Sequence, residues 1–144
     1  MVFAGIIQGG SFSDDRGELR FVNDFDMTQV KRFYQITHPD TSIIRAWQGH
    51  KSEQKWMYVL TGSFFLAIVK PDNWETPSKE LPVQEFTLKA EKPSVLYIPG
   101  GYANGFKALE PDSTMLIYSD CTVAESAADN FRFNKNLWLN WEGA

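Results

Sequence analysis

Hydrophobic and polar residues alternate along short stretches of this chain, and clusters of Gly, Pro, Asn and Asp separate the stretches. Alternation with a period of two is typical of β-strands that bury one face, and such clusters mark turns. The predicted strands are 19–22, 30–37, 43–50, 55–60, 64–70, 84–89, 94–98, 103–109 and 114–118. Many short strands with frequent turns predict an all-β fold, either a sandwich or a barrel.

Little of the chain departs from this strand pattern. Only the region 123–130 has a helical pattern, and it is weak. Residues 72–82, with prolines and charges of both signs, are predicted to form a loop. Because we find no internal repeat, low-complexity segment or linker, residues 1–144 are expected to form a single domain.

Composition narrows the functional classes. With 43% hydrophobic and 22% charged residues the chain is typical of a soluble globular protein, and its 15% aromatic content suits an all-β core. The net charge of −4 argues against a nucleic-acid partner, which requires a basic surface. No apolar run approaches the roughly 18 residues of a membrane helix, and residues 1–7 lack the basic start of a signal peptide. The single Cys121 cannot form an internal disulfide. We therefore expect a cytoplasmic protein without a membrane partner.

Two polar segments have a spacing that carries chemical information. Gln48 and His50 lie two positions apart on one predicted strand, so their side chains share a face. Lys55 follows five residues after His50, and Gly62 follows seven residues after Lys55. A second segment, residues 99–104, has the sequence Pro-Gly-Gly-Tyr-Ala-Asn. This pattern resembles the two motifs of the cupin superfamily, G-x5-H-x-H-x(3,4)-E-x6-G and P-x-G-x2-H. The resemblance implies a cupin-type jelly-roll β-barrel or sandwich.

The metal ligands of cupins come from these two motifs, and three of the four ligand positions differ here. Gln48 replaces a His, Lys55 replaces the Glu and Asn104 replaces the last His. A Lys ammonium has no lone pair to offer a cation, and His50 alone is too few, because stable sites need three or four protein ligands. We therefore predict no metal and no cofactor. A metal-dependent oxygenase and a purely structural barrel are the least favoured alternatives.

A Lys at the Glu position is typical of one branch of the cupins. Asp14-Asp15-Arg16-Gly17 resembles the D-x-R-G of that branch, and Arg45-Ala46-Trp47-Gln48 takes the place of its R-G-x-H. Residues 98–106 resemble I-P-x-G-[FY]-A-H-G-F, and residues 131–141 are similar to its C-terminal W-[ND]-D-P-x-L-x-I-x-W. The chain therefore resembles, nearly end to end, the RmlC-like dTDP-4-dehydrorhamnose 3,5-epimerase family.

The neighbouring sugar-nucleotide 3,4-ketoisomerases share Lys31-Arg32-Phe33-Tyr34, His50 and Ser119-Asp120 with this chain. Both resemblances imply that the substrate is a 4-keto-6-deoxy sugar on a nucleoside diphosphate, with dTDP as the expected nucleotide. They also imply a role in deoxysugar and polysaccharide biosynthesis. The keto group acidifies the adjacent C–H bonds, so a base can form an enolate that is reprotonated on another face or atom. The implied activity is that of a metal-independent isomerase or epimerase.

The resemblance also implies roles for the catalytic candidates. His50 is expected to act as the base, and Lys55 as the donor that stabilises the oxyanion. Gln48 occupies the position of the epimerase base, although an amide cannot abstract a C–H proton. The segment after the last strand lacks the acid Tyr of the epimerases, and Tyr118 or Tyr58 could replace it.

The candidate substrate-binding residues are Arg16, Gln35, Arg45, Trp47, Tyr102 and Asn104. Arg16 and Arg45 are expected to bind the diphosphate, because a planar guanidinium forms bidentate pairs with phosphate oxygens. Gln35 is expected to contact the nucleotide or the sugar, and Trp47 or Tyr102 to stack on a ring. Each also has a structural alternative, such as a local ion pair for Arg16 or a surface charge for Arg45.

Gln48 and the absent acid Tyr leave a second function open, that of a catalytically silent barrel that binds a sugar nucleotide. A homodimer is also expected, because small cupins of this branch are usually dimers. The apolar segment Val2–Ile7 suits an exchanged strand in such a dimer, and it equally suits an edge strand within one chain. His38, beside Pro39 in a turn, is expected to be exposed and without a functional role.

Overall fold

The structure, a computed structural model, describes residues 3–144. Met1 and Val2 lie outside the described residues, so the first residue of the predicted segment Val2–Ile7 is not described. The strands are β1 (Gly5–Gln8), β2 (Gly10–Asp14), β3 (Gly17–Phe21), β4 (Arg32–His38), β5 (Ile44–His50), β6 (Lys55–Thr61), β7 (Ser63–Val69), β8 (Val83–Lys89), β9 (Ser94–Ile98), β10 (Tyr102–Ala108), β11 (Ser113–Ser119) and β12 (Phe131–Arg132). The helical elements are α1 (Val123–Ala127) and a short 3-10 turn, Trp141–Gly143.

Ten of these strands form two five-stranded antiparallel sheets. Sheet I has the order β1-β9-β6-β11-β4, and sheet II has the order β12-β5-β10-β7-β8. From β4 to β7 and again from β8 to β11, each strand pairs in the opposite sheet from the strand before it. This alternation between two sheets is the connectivity of a jelly roll. β2 and β3 form a separate hairpin.

The main core lies between the two sheets. Alternate residues of β7, which are Phe64, Leu66 and Ile68, point inward and pack with Met57 and Ile117 from sheet I. All five side chains are almost completely buried. Burial of each such side chain contributes about 1.5–3 kcal/mol, so this layer holds the two sheets together.

A second hydrophobic cluster covers the outer face of sheet II. The other residues of β7, including Phe65 and Val69, pack there against Trp47 and Trp141. The C-terminal segment that carries Trp141 therefore covers the sheet from outside. Because both faces of β7 are buried, its sequence is continuously apolar instead of alternating.

The structure confirms the all-β fold class and the strand pattern. Each predicted strand lies within two residues of an observed strand at both ends. The loop predicted at 72–82 contains no strand or helix. The strands β2 and β12 were not predicted, because they are short and their residues do not alternate clearly.

The weak helical pattern corresponds to α1, which occupies the first half of the predicted region. A capping box starts this helix: the Glu125 backbone N–H donates to Thr122 Oγ1 at 3.2 Å, and the Thr122 backbone N–H donates to Glu125 Oε1 at 2.9 Å. These reciprocal bonds satisfy amides that have no partner within the helix.

The described part of the N-terminal segment forms the edge strand β1 within the same chain. Its residues pair antiparallel with β9, Gly5 opposite Tyr97 and Gln8 opposite Ser94. The β2–β3 hairpin that follows leaves Phe12 and Leu19 exposed.

Candidate functional site

A cavity of about 480 Å³ opens between the two sheets. Its lining residues come from β4, β5, β6, β10, β11, α1 and β12, and they are Arg32, Tyr34, Ile36, Ile44, Arg45, Ala46, Trp47, Gln48, Lys55, Asn104, Phe106, Ile117, Ser126 and Arg132. Four of them are cationic, and no Asp or Glu among residues 3–144 lines the cavity. The cavity is therefore suited to an anionic ligand.

A β-bulge in β5 aims two polar residues into this cavity. Asn104 of β10 lies opposite Gln48, whereas Phe106 lies opposite Arg45, so two residues of β5 face the single Gly105. The extra residue shifts the alternation of β5, which allows Arg45 and Gln48 to line the cavity although they are three positions apart. The peptide bond within the bulge, between Ala46 and Trp47, is cis.

Lys55 is a buried cation on the cavity wall. Its side chain is nearly inaccessible to solvent, and its Nζ donates to Gln48 Oε1 at 3.2 Å. Burial lowers the pKa of Lys55 to about 8, because the charged form is poorly solvated there. Glu53 opposes this lowering, and the charges of Arg32 and Arg132 add to it. Lys55 can therefore donate a hydrogen bond from within the cavity and also exchange a proton near neutral pH.

His50 is buried beside the cavity and does not belong to the residues that line it. Its Nδ1 lies 2.6 Å from the backbone oxygen of Asp129 and 3.1 Å from Glu53 Oε1. Because both partners are acceptors, the proton belongs on Nδ1 and the lone pair on Nε2. Within residues 3–144, Nε2 is buried and has no hydrogen-bond partner. Burial lowers the pKa of His50, the charge of Lys55 adds to this, and the imidazole is neutral.

Glu53 connects His50 to the surrounding strands. Its carboxylate is fully buried; Oε1 accepts from Ser126 Oγ at 2.8 Å, and Oε2 accepts from Ser119 Oγ. Arg32 Nη2 lies 3.6 Å from Oε2. These partners satisfy the carboxylate, which would otherwise be costly to bury.

Asp129 fastens the segment after α1 to the turn between β5 and β6. Its carboxylate accepts the backbone N–H groups of Lys51, Ser52 and Glu53 at 2.7, 2.8 and 2.9 Å. Burial raises the pKa of Asp129, but these backbone donors outweigh it and the pKa is lowered overall. This anchor holds the chain that brings Ser126 and Arg132 to the cavity.

Four of the residues singled out in the sequence meet at the cavity. Arg45, Gln48, Lys55 and Asn104 all line it, and Asn104 Nδ2 donates to the backbone oxygen of Gln48 at 3.3 Å. Trp47 also borders the cavity, but its indole is buried in the outer tryptophan cluster, with Nε1 donating to the Lys135 backbone oxygen at 3.2 Å.

The other singled-out residues lie elsewhere. Tyr118 alternates with the cavity-lining Ile117, so it points to the outer face of sheet I, where its ring lies 5.2 Å from that of Phe25. Gln35 alternates with Tyr34 in the same way and is exposed. Tyr102 packs against the main core and does not line the cavity.

Arg16 lies at the turn of the β2–β3 hairpin. Its side chain is 84% exposed and forms an ion pair of 2.7 Å with Asp14. The pair is local and at the surface, where such contacts add little to stability.

The cavity contains Arg32, Tyr34, Ser126 and Arg132, which were not recognised as site residues. Arg32 and Tyr34 share one face of β4, and the Arg32 guanidinium lies 4.9 Å from the centre of the Tyr34 ring. Burial raises the pKa of Tyr34 to about 12, so its phenol is protonated at neutral pH. The alternation of β4 contained this signal, but the sequence did not indicate which face was inward.

The expectation that His38 is exposed was wrong. Its side chain is completely buried, and its Nε2 accepts a hydrogen bond from Arg45 Nε at 3.1 Å. The residue is the last of β4, where the strand still covers the core, so the turn begins only at Pro39.

Within the described residues, no group of three or more His, Cys, Asp or Glu side chains is placed to hold a metal ion. The same part of the chain has no helix with the length and hydrophobicity that crossing a membrane would require.

Comparison with solved structures identifies the fold. A dTDP-4-dehydrorhamnose 3,5-epimerase from Bacillus anthracis, solved with TDP and PPi bound, superposes with a TM-score of 0.76 at 20% identity, covering 96% of this chain and 84% of that chain. The rmlC epimerase of Mycobacterium tuberculosis gives 0.75 at 17% identity, covering 96% of this chain and 74% of that chain.

A variant of the 3,4-ketoisomerase QdtA from Thermoanaerobacterium thermosaccharolyticum, in complex with TDP-4-keto-6-deoxyglucose, gives a TM-score of 0.69 at 20% identity. The superposition covers 92% of this chain and 90% of that chain. At identities this low, the superpositions demonstrate a shared fold and nothing beyond it.

Sequence comparison places the chain in a family. No curated protein matches it. The sequence profile described as dTDP-4-dehydrorhamnose 3,5-epimerase, however, matches residues 5–143, which is nearly the whole chain. The chain therefore belongs to the dTDP-4-dehydrorhamnose 3,5-epimerase family.

Proposed function

We propose that the protein is a metal-independent isomerase or epimerase that acts on a nucleoside-diphosphate-linked 4-keto-6-deoxy sugar, with dTDP as the nucleotide. The observation that carries the proposal is the cavity of this family member, lined by Arg32, Arg45, Lys55 and Arg132 and by no carboxylate of the described residues. Structural neighbours of the chain bind TDP or a TDP-linked keto sugar.

The guanidinium groups account for binding of the diphosphate. Arg45 and Arg132 are the more exposed cations of the cavity, and neither forms an ion pair with a carboxylate among residues 3–144. Each guanidinium can therefore form bidentate hydrogen bonds with phosphate oxygens. The metal-free assignment follows from the donor set, because Gln48, Lys55 and Asn104 replace three ligands of the cupin metal site.

The proposed chemistry is proton transfer next to the keto group. His50 has the tautomer that a base requires, with the proton on Nδ1 held by Asp129 and Glu53 and a lone pair on Nε2. Lys55 donates to the enolate oxygen as charge develops on it. Tyr34 returns the proton; it lines the cavity, whereas Tyr118 lies on the outer face of its sheet.

A second function is favoured by one specific observation. His50 Nε2 is buried, and His50 is not among the residues that line the cavity. A barrel that binds a sugar nucleotide without turning it over would have this arrangement.

Binding of dTDP-glucose, measured by isothermal titration calorimetry, tests the ligand class. Arg132→Met is expected to weaken binding on the order of tenfold, the loss of one charge-assisted contact. The control is Lys92→Met, which removes a positive charge from an exposed turn outside the cavity. Equal effects of both variants, or no binding by the wild type, would contradict the proposal.

Turnover of dTDP-4-keto-6-deoxyglucose, followed by NMR, separates the enzyme from the silent binder. We expect His50→Asn to abolish product formation while binding persists, and Tyr34→Phe to slow it far more than Tyr118→Phe. Tight binding without any product from the wild type would establish the silent function instead.

The quaternary and domain states belong to the same proposal. We propose one domain and a homodimer, in which the second copy covers Phe33, Phe12 and Leu19, now exposed at 66%, 58% and 61%. Light scattering after size-exclusion chromatography should give twice the monomer mass of 16.5 kDa. A mass of one monomer would contradict the dimer.

A further inference from the structure

Arg45 is held in the cavity by an uncharged partner. Among residues 3–144 no carboxylate forms an ion pair with it, and its side-chain hydrogen bond goes from Nε to His38 Nε2 at 3.1 Å. The guanidinium therefore keeps its full charge and its terminal N–H groups for a ligand. An acidic partner would have fixed Arg45 equally well, but it would have cancelled this charge.

The His38 ring is held in place by burial and by two aromatic neighbours. Its ring is completely buried, stacked on Phe106 at 5.6 Å between centroids and against the edge of Phe64 at 5.4 Å. Because Arg45 has no lone pair, His38 must accept through an unprotonated Nε2 and carry its proton on Nδ1. Within the described residues, that Nδ1 is buried and has no partner.

We propose that His38 is a positioning residue, which orients Arg45 toward the diphosphate of the ligand only while its imidazole is neutral. This inference rests on the proposed function only for the identity of the ligand, because the contact between His38 and Arg45 does not depend on it. Protonation of His38 removes the lone pair and places two cations in contact, so Arg45 leaves its position. Affinity for the diphosphate therefore declines at acidic pH.

The groups around His38 support this response. Arg45 faces it from β5, and Asp40 lies in the turn that follows β4; its packing partners on β7 and β10, Phe64 and Phe106, are uncharged. Burial lowers the pKa of His38, Arg45 adds to the lowering and Asp40 opposes it. The imidazole is thus neutral at pH 7 and gains a proton below its ordinary range near 6.5.

Two substitutions separate positioning from packing. His38→Gln can retain an acceptor, because the amide oxygen can take the place of Nε2, but it does not titrate. His38→Met fills similar space and has no comparable acceptor. The probe is dTDP-glucose, whose diphosphate diester keeps its charge between pH 5 and 8, and thermal melts check that both variants fold.

We expect the wild type to lose affinity on the order of tenfold between pH 7.5 and a pH below the lowered pKa of His38, the fold-change for loss of one oriented charge-assisted contact. His38→Gln should bind with little dependence on pH, and His38→Met should bind about tenfold more weakly at both pH values. Wild-type affinity in folded His38→Met at pH 7.5, or an unchanged pH dependence in folded His38→Gln, would overturn the proposal.

An NMR titration tests the contact without a ligand. The ¹⁵N shift of His38 should identify the Nδ1–H tautomer at pH 7.5, and the Arg45 Nε–H resonance should shift with the same midpoint as His38 protonation. If the wild type binds no dTDP-glucose, the proposed function fails, while this shared midpoint still supports the positioning of Arg45. Independent titration of the two residues would overturn the inference.

Discussion

Replacing Lys55 by Met should stabilise the protein near neutral pH. Lys55 is only 3% exposed, and burial lowers its pKa from 10.5 to about 8. Because one pKa unit corresponds to 1.36 kcal/mol, the buried charge costs about 3 kcal/mol of folding free energy at pH 7. Met cannot form the 3.2 Å hydrogen bond to Gln48, and this loss reduces the gain in stability by about 1 kcal/mol. We therefore expect Lys55→Met to be more stable by about 2 kcal/mol.

The difference in stability between the wild type and Lys55→Met should depend on pH. Between pH 8 and 10.5 the unfolded chain binds a proton at Lys55 that the folded protein has released, so the wild type gains stability as the pH rises. Lys55→Met lacks this gain, and its advantage should shrink and then disappear by about pH 10. Taking the difference between the two proteins cancels the titration of other groups.

Urea denaturation of both proteins at pH 7 and pH 10 measures the effect. A Lys55→Met variant that is less stable than the wild type at pH 7 would refute the cost assigned to the buried charge. A difference in stability that is the same at both pH values would refute it as well. A stabilised variant without turnover would indicate that the buried charge is retained for function at the expense of stability.

Two other substitutions test how the site is built. Asp129→Ala removes the acceptor of three backbone N–H groups and should lower the free energy of unfolding by about 2 kcal/mol; a loss below about 0.5 kcal/mol in urea denaturation would contradict its anchoring role. Gly105→Ala would place a Cβ 2.7 Å from both Ala46 Cβ and Trp141 Cζ2, and we expect a loss of about 1–3 kcal/mol. Gly5→Ala, where no atom lies within 4 Å of the new Cβ, should change stability by less than about 0.5 kcal/mol, and similar thermal melts for both glycine variants would argue against the close packing at the bulge.

The sequence was sufficient to predict the strand pattern and several polar cavity residues of β5, β6 and β10. The alternation of hydrophobic residues predicts strands directly, and the spacing of Gln48, His50 and Lys55 resembled a motif whose positions are known to face the interior. Three of the residues identified in this way, Gln48, Lys55 and Asn104, lie together in the cavity.

The sequence could not determine which face of each strand was inward. In β4 both faces carry polar and aromatic residues, and in β11 both faces carry polar and apolar residues. Gln35 and Tyr118 were therefore as plausible as Tyr34 before the register was known. The bulge in β5 adds a further shift that a strict period of two does not contain. Arg132 enters through the two-residue strand β12, which is too short to have a periodic pattern.

The roles of the two histidines depended on tertiary contacts. His38 looked exposed because it precedes a proline, but its strand runs one residue further over the core than the turn signal suggested. His50 was placed by the motif, whereas its contacts with Glu53 and Asp129 come from residues three and seventy-nine positions away. Neither contact follows from local periodicity.

The most direct test of the central claim is solvent exchange in the bound keto sugar. Wild-type protein is incubated with dTDP-4-keto-6-deoxyglucose in deuterated water, and proton NMR follows the C–H positions adjacent to the keto group. Proton transfer by the cavity predicts deuterium at one of these positions at a rate well above that of a protein-free control. No exchange above that control, in a sample where calorimetry demonstrates binding, would contradict the proposed isomerase or epimerase.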